Sequence, residues 1–344
     1  MTPEEKYQMI TRNLDEVVDT EKLNKVLKER DLEIYWGAAP TGMLHLGHFV
    51  PMYKIADFLR AGCKVKVLFA NMHAYLDNMK STWELLDKRT AYYEFTIKEM
   101  LKLIGVPLDK LEFVKGTDFQ LSEKYTLDMY KISAMTTTRD TQRAGAEVVK
   151  QVDNPKMSNL LYPILQALDE EYLKVDAQFG GTDQRKIFML AREFLPKIGY
   201  EKRIHLLNPL IPGLGESGKM SSSEPNSKID FIDSEKVMKK KINKAYSEDG
   251  KVEGNGLLAI TKYIIFRKLE DDNKSFVIER PEQYGGNISF ETYEDVEKAF
   301  ANNELSSIDL KQGIGNEISK FLAPLREMLE KNEKIYKEAY PELK

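Results

Sequence analysis

Glu33-Ile34-Tyr35-Trp36-Gly37-Ala38-Ala39-Pro40-Thr41-Gly42-Met43-Leu44-His45-Leu46-Gly47-His48 changes character as it runs. Glu33 to Gly37 carries Ile, Tyr and Trp and reads as a short strand ending in a turn. Ala39-Pro40-Thr41-Gly42 reads as a loop, because Pro40 restricts the residue before it and Gly42 loosens the chain after it. From Gly47 to Ala61 the apolar residues Phe49, Met52, Ile55, Ala56 and Leu59 recur at helical spacing, and Gly62 stops the run. A strand that passes through a loop into an amphipathic helix is the opening unit of an α/β sheet.

Working outward, the same rhythm repeats. Lys64 to Ala70, with Val65, Val67, Leu68 and Phe69, reads as a buried strand. Thr82 to Ile104 reads as a long helix ended by Gly105 and Pro107, and Glu112 to Lys115 as the next strand. Residues 122–173 read as a mostly helical insertion. Val175 to Phe179 is the next expected strand, followed by Gly180-Gly181, a helix from about Gln184 to Leu195, and a strand from Ile204 to Leu207. Residues 1–30 read as a helical lead-in. A Gly-, Ser- and Pro-rich loop spans about 209–225. Beyond it come a lysine-rich helix, the run Ser275 to Arg280, a Gly285-Gly286 turn and helices starting near Thr292 and Asp309. The expected fold class is α/β, a parallel-sheet domain over 1–230 with a helical insertion at about 120–173, and a smaller, mostly helical domain over 231–344.

Composition narrows the function classes. The longest apolar runs fall well short of the roughly 20 residues needed to cross a bilayer, and MTPEEKYQM does not resemble a secretory signal. No membrane association is expected. The single cysteine, Cys63, excludes an intramolecular disulfide, which fits a reducing compartment such as the cytoplasm. The four histidines make no HExxH pattern, so no protein metal site is expected. A formal net charge of -4 argues against a uniformly basic nucleic-acid binder, yet a local patch suffices for phosphate. Lys236, Lys239, Lys240, Lys241 and Lys244 are one such patch, or simply a solvated helix face.

Three constellations carry chemistry. His45 and His48 stand three residues apart at the start of a helix, where free N–H groups and the helix field suit phosphate. Gly47 leaves room beside them for a flat group such as adenine. The bland alternative is two satisfied histidines around a packing glycine. Far along the chain, Gly213-Leu214-Gly215-Glu216-Ser217-Gly218-Lys219-Met220-Ser221-Ser222-Ser223 mimics two glycine-rich fingerprints and satisfies neither. The dinucleotide fingerprint must follow a first strand and open a helix, whereas here Pro212 precedes the run and polar loop sequence follows, and Met220 stands where a phosphate loop needs a hydroxyl. What remains is one lysine and three hydroxyls able to bind phosphate oxygens, or else a flexible linker. Third, Tyr162, Gln166 and Asp169 fall at i, i+4 and i+7 on a helix. Three polar tips on a core-like face need partners: a bound ligand or an ordinary buried network.

Taken in order, His45-Leu46-Gly47-His48 and Lys219-Met220-Ser221-Ser222-Ser223 resemble the HIGH and KMSKS motifs of class I aminoacyl-tRNA synthetases, with Ser222 at the position of the second lysine. Leu76-Asp77-Asn78, Gly116-Thr117-Asp118-Phe119-Gln120-Leu121 and Ala144-Gly145-Ala146-Glu147 are similar to the archaeal and eukaryotic cytosolic tyrosyl branch, and the likeness runs from about 30 to 335. It implies a Rossmann-like catalytic domain, a dimer-forming helical insertion (hence a homodimer) and a C-terminal anticodon-binding domain. The implied substrates are ATP, with Mg2+ accompanying it, L-tyrosine and tRNA(Tyr).

The resemblance also implies roles. His45, His48, Lys219, Ser221, Ser222 and Ser223 would neutralise the phosphates, with Thr41, Gly47 and Asp183 also on the nucleotide. Tyr35 and Asp169 would read the substrate hydroxyl, Tyr162 and Gln166 would hold its ammonium, and Gln184 would orient its carboxylate. Tyr284 would stack on the first anticodon base and Asp309 would accept from its edge, although an aspartate there could equally be a helix N-cap. Two rivals remain: a tryptophanyl-tRNA synthetase, since an aspartate can also receive an indole N–H, and a catalytically inactive RNA-binding relative.

Overall fold

The computed structural model describes residues 1–149, 154–216 and 225–343. Its central sheet holds β1 (Glu16–Val18), β2 (Glu33–Ala38), β3 (Lys64–Phe69), β4 (Leu111–Lys115), β5 (Ala177–Gly181) and β6 (Ile204–Asn208), in the spatial order β1-β6-β5-β2-β3-β4. All neighbours are parallel except β1, which runs antiparallel to β6. A parallel sheet must be covered on both faces. Accordingly β2, β3, β5 and β6 bury most of their residues, from Ile34, Tyr35 and Trp36 to Ile204, Leu206 and Leu207.

From β2 the chain winds one way through β3 and β4, then returns to place β5 on the other side of β2. That reversal opens a crevice beyond the C-terminal ends of β2 and β5, where ligands bind in sheets of this kind. The loop 39–45 leaves β2 there, and Thr182–Gln184 leaves β5 there.

Several boundaries differ from those expected. The lead-in is two helices, Pro3–Thr11 and Thr20–Glu29, around the edge strand β1, whose three residues are too few to show a period. β5 begins later than expected and takes in Gly180 and Gly181, which pair with Leu207 and Asn208. The glycines belong to the strand because the adjoining turn folds back on them. A Cβ on Gly180 would lie 2.7 Å from Gln184 Oε1 and 2.8 Å from the Phe188 ring.

The helical insertion is present as Glu123–Met135, Thr138–Gly145 and Met157–Tyr172. The later part of the chain adds a two-stranded sheet of β7 (Phe276–Ile278) and β8 (Ile288–Phe290), packed with helices Tyr293–Ala301 and Ser307–Lys331. The last of these reaches back to the helix Phe49–Arg60: the Phe321 and Phe49 rings lie 4.6 Å apart. Beside that contact Asp57, nearly wholly buried, accepts from Lys54 at 3.2 Å, Arg267 at 2.7 Å and Arg12. A buried carboxylate is tolerated only when its lone pairs are filled in this way. No described helix is long and apolar enough to cross a membrane.

Candidate active site

Two cavities open at the crevice. The larger, about 680 Å³, is lined by Trp36, His45, Gly47, His48, Asp183 and Gln184 among others. The smaller, about 120 Å³, is lined by Tyr35, His73, Tyr162, Gln166, Asp169 and Gln184 among others. Gln184 is common to both, so the two form one site with a shared wall. Its Oε1 accepts from Gln166 Nε2 at 2.8 Å, an approach that only a glycine at 180 permits.

At the larger end, Leu46–His48 is a turn of 3₁₀ helix leading into Phe49–Arg60. Gly47 donates its N–H to His45 Nδ1 at 3.2 Å, and His45 donates its own to His48 Nδ1 at 3.1 Å. Burial depresses both imidazoles, His48 to about 4 and His45 well below its usual value, so both are neutral near pH 7. An accepting Nδ1 leaves the proton of neutral His45 on Nε2. That ring is therefore a hydrogen-bond donor and not a cation. Thr41 does not line this cavity; its carbonyl is taken by Arg89. Glu147 stands at its margin, paired with Lys186 at 2.7 Å.

Lys219, Ser221, Ser222 and Ser223 lie outside the described residues. The segments flanking them meet each other and the histidine turn. Leu214 donates to the Ser227 carbonyl at 2.9 Å. Beyond it, Leu46 donates to the Ile229 carbonyl at 2.9 Å, and His45 bridges Asp230. The chain emerging from the lysine–serine run is thus stitched directly to the histidine turn.

The smaller cavity is a dry polar cup. Tyr35 and Asp169 are each 1% exposed. Tyr35 donates weakly to the Gln166 carbonyl at 3.4 Å. Asp169 Oδ1 accepts from Gln120 Nε2 at 2.7 Å and from the Tyr125 hydroxyl at 2.8 Å. Its Oδ2 lies 3.8 Å from His73 Nε2, beyond hydrogen-bonding reach. Burial raises the Asp169 carboxyl to about 7, against the lowering effect of its two donors. Burial also depresses His73 to about 3, so this imidazole is neutral.

Gln120, Tyr125 and His73 escaped the sequence reading. Gln120 lies in a stretch noted only for its likeness to other sequences; its signal was Gly116, where a Cβ would lie 2.4 Å from Gln120 Oε1. Tyr125 and His73 look like core residues at helical spacing, and only the fold points them at Asp169.

In the later part of the chain, Asp309 is not the helix cap. Ser306 caps Ser307–Lys331, its hydroxyl accepting from the Asp309 N–H at 3.2 Å. Asp309 sits in the first turn with its carboxylate 3.5 Å from Arg280. Arg280 also donates to the Gly286 carbonyl at 3.0 Å, which ties Asp309 to the turn carrying Tyr284. Tyr284 is 67% exposed. Of the five lysines on the helix Glu235–Lys244, Lys239 pairs with Glu235 at 2.8 Å and Lys241 with Asp233 at 2.6 Å, so the patch is partly neutralised.

Comparison with known proteins fits this arrangement. The family model of class I tRNA synthetases (W and Y) matches residues 27–323. A cytoplasmic tyrosine--tRNA ligase of Danio rerio is 56% identical, over 99% of this chain and 64% of that protein, so the chain spans under two-thirds of that relative's length. The cytoplasmic tyrosine--tRNA ligase of Saccharomyces cerevisiae is 49% identical, over 99% of this chain and 90% of that protein. A tyrosyl-tRNA synthetase of Archaeoglobus fulgidus, solved with L-tyrosine, is 36% identical with a TM-score of 0.87, covering 95% of this chain and 99% of the other. A crevice at the strand reversal, a histidine turn at its mouth and a match over most of the length make this chain a member of the class I aminoacyl-tRNA synthetases of the tryptophanyl and tyrosyl group.

Proposed function

We propose that the chain activates L-tyrosine with ATP, forming tyrosyl-adenylate and pyrophosphate, and then transfers tyrosine to the 3′ end of tRNA(Tyr). The observation that carries this is the small buried cup with Tyr35 and Asp169 in its lining, joined through Gln184 to a cavity large enough for a nucleotide. Asp169 Oδ1 is already occupied by two donors, which leaves Oδ2 for a phenolic O–H. Phenylalanine would leave that oxygen unpaired in a dry pocket, and the Tyr35 hydroxyl with only its long bond to the Gln166 carbonyl; tyrosyl-tRNA synthetases are themselves a known case of such discrimination. The named relatives favour tyrosine over tryptophan.

In the first step the tyrosine carboxylate attacks the α-phosphorus of ATP. It is already ionised at neutral pH, so the step needs no general base. The enzyme's work is alignment and neutralisation of the charge that gathers on the phosphates. Tyr162 and Gln166 are assigned to the ammonium, Gln184 to the carboxylate and Asp183 to the ribose. Gly47 sits beside the adenine. His45 and His48 donate hydrogen bonds to phosphate oxygens, while Lys219 and the hydroxyls of Ser221, Ser222 and Ser223 supply charge and further donors. Magnesium enters as part of the ATP substrate. In the second step a terminal ribose hydroxyl of the tRNA attacks the adenylate.

Residues 231–344 are assigned to the tRNA, with Tyr284 stacking on an anticodon base and Asp309 accepting from its edge. Exposed Leu127, Tyr130 and Met157 on the helical insertion fit a homodimer interface. The names of the relatives point to the cytoplasm. ATP–pyrophosphate exchange with tyrosine, phenylalanine and tryptophan tests the central claim. Turnover with tyrosine alone is expected. Turnover with tryptophan, or with none of the three, would overturn it.

A further inference from the structure

The loop that precedes the histidine turn is held from behind by side chains that line neither cavity. Arg89, 6% exposed, lies on the helix Leu86–Ile104. Its Nη1 donates to the carbonyl of Thr41 at 2.9 Å and to that of Lys80 at 2.6 Å, and its Nε to that of Ala339 at 3.1 Å. One turn along the same helix, the Tyr93 hydroxyl donates to the Gly42 carbonyl at 2.7 Å. Tyr340, 3% exposed, donates its hydroxyl to that same carbonyl at 2.8 Å, from just past the helix Glu333–Ala339. The Tyr340 ring stacks on Arg89, whose Cζ is 4.8 Å from the ring centre, and meets Tyr92 edge-on at 5.3 Å.

A carbonyl oxygen has two lone pairs, and both at Gly42 receive a hydroxyl. Ala38 meanwhile accepts from Ala70 at 2.9 Å, and Ala39 from Thr41 at 2.8 Å. The carbonyls of Ala38, Ala39, Thr41 and Gly42 are thus all filled. Ala39-Pro40-Thr41-Gly42 has no bulky side chain to fix its own shape, so its geometry is imposed from outside. A loop whose carbonyls are held by several buried donors is rigid, and phosphate chemistry is sensitive to displacements of an ångström.

We infer that Arg89, Tyr93 and Tyr340 are positioning residues for adenylate formation. They set the 40–42 loop so that His45 and His48 meet the phosphates, and Tyr340 makes that geometry depend on the docking of residues 333–342. This rests on the activity proposed above.

The test uses the full chain with Tyr340→Phe, Tyr93→Phe and the double variant, each of which removes a hydroxyl and keeps its ring. At saturating tyrosine, the rate of adenylate formation is expected to fall about 5-fold for each single variant and about 20-fold for the double. Tyrosine affinity, read by fluorescence titration, should change by less than about 2-fold. An unchanged rate in the double variant would overturn the inference. So would a matched loss of rate and tyrosine affinity, which is the mark of general loosening. A wild-type chain that forms no adenylate would sink the activity itself, a result distinct from an active wild type with an unaffected double variant.

Discussion

The cup around Asp169 and the face around Asp309 each present an aspartate beside a tyrosine, and they differ in almost every physical respect. Asp169 is buried, shares one oxygen with Gln120 and Tyr125, and has its carboxyl raised to about 7. Asp309 is partly buried near the surface, balanced by Arg280, beside the turn that carries the exposed Tyr284. In the cup, selectivity comes from groups that cannot turn to water if the ligand lacks a matching atom. At the surface, water competes for every contact, so recognition needs stacking and several modest hydrogen bonds together. The same residue pair therefore suits a small phenol in one place and an RNA base in the other.

The sharpest way to break this contrast is Asp169→Asn, which keeps the shape and removes the charge. A hydrogen bond to a charged group is worth about 2 kcal/mol, so tyrosine affinity should fall about 30-fold, with exchange activity falling alongside. The wild-type cup should also respond to pH. With the carboxyl near 7, a pocket that binds tyrosine to ionised Asp169 releases a proton below that value. Affinity should then climb from about pH 6 toward about pH 8 and level off, whereas Asp169→Asn should stay flat. The same shift has a stability consequence for the empty chain. A carboxyl raised in the folded state binds more protons than the unfolded chain does between its ordinary pKa and about 7, so stability is lost as pH rises through that window. Parallel pH profiles for variant and wild type would place the titrating group elsewhere.

A smaller effect is expected at the surface. Asp309→Ala should raise the KM for tRNA in aminoacylation about 10-fold and leave tyrosine-dependent exchange within about 2-fold. Equal losses in both assays would mean that the carboxylate supports the fold and not the RNA. Smallest of all is Ser306→Ala, which removes the hydroxyl that caps the Asp309 N–H and leaves the Asp309 carboxylate in place. It should cost about 1 kcal/mol in urea unfolding with both assays unchanged. A defect in aminoacylation as large as that of Asp309→Ala would show that capping and base reading cannot be separated.

Much of the sheet was legible in the residues. β2, β3 and the helix Phe49–Arg60 follow from apolar spacing and from glycines at the right ends, because a parallel strand is apolar over the stretch that is covered on both faces. The edge strand β1 was not legible, since three residues paired only to β6 carry no period of their own. Gly180 and Gly181 read as a stop after a strand and prove to be its end, because what they admit is the side chains of Gln184, Phe188 and Asp183. The helix face of Tyr162, Gln166 and Asp169 was readable from spacing alone. The three groups that complete its surroundings were not: Gln120 and Tyr125 arrive from the other end of the insertion, and His73 from the helix after β3.

By itself the sequence determined the α/β rhythm, the histidine turn at the end of the first long strand and the helical spacing of the polar cup, since these depend on neighbours within a few positions along the chain. Only the tertiary structure decided which oxygen of Asp169 stays open, that the two histidines are neutral, and that Tyr340 reaches back to grip Gly42. Desolvation and hydrogen-bond partners arise from contacts between segments far apart in the chain, and no local pattern of residues encodes them.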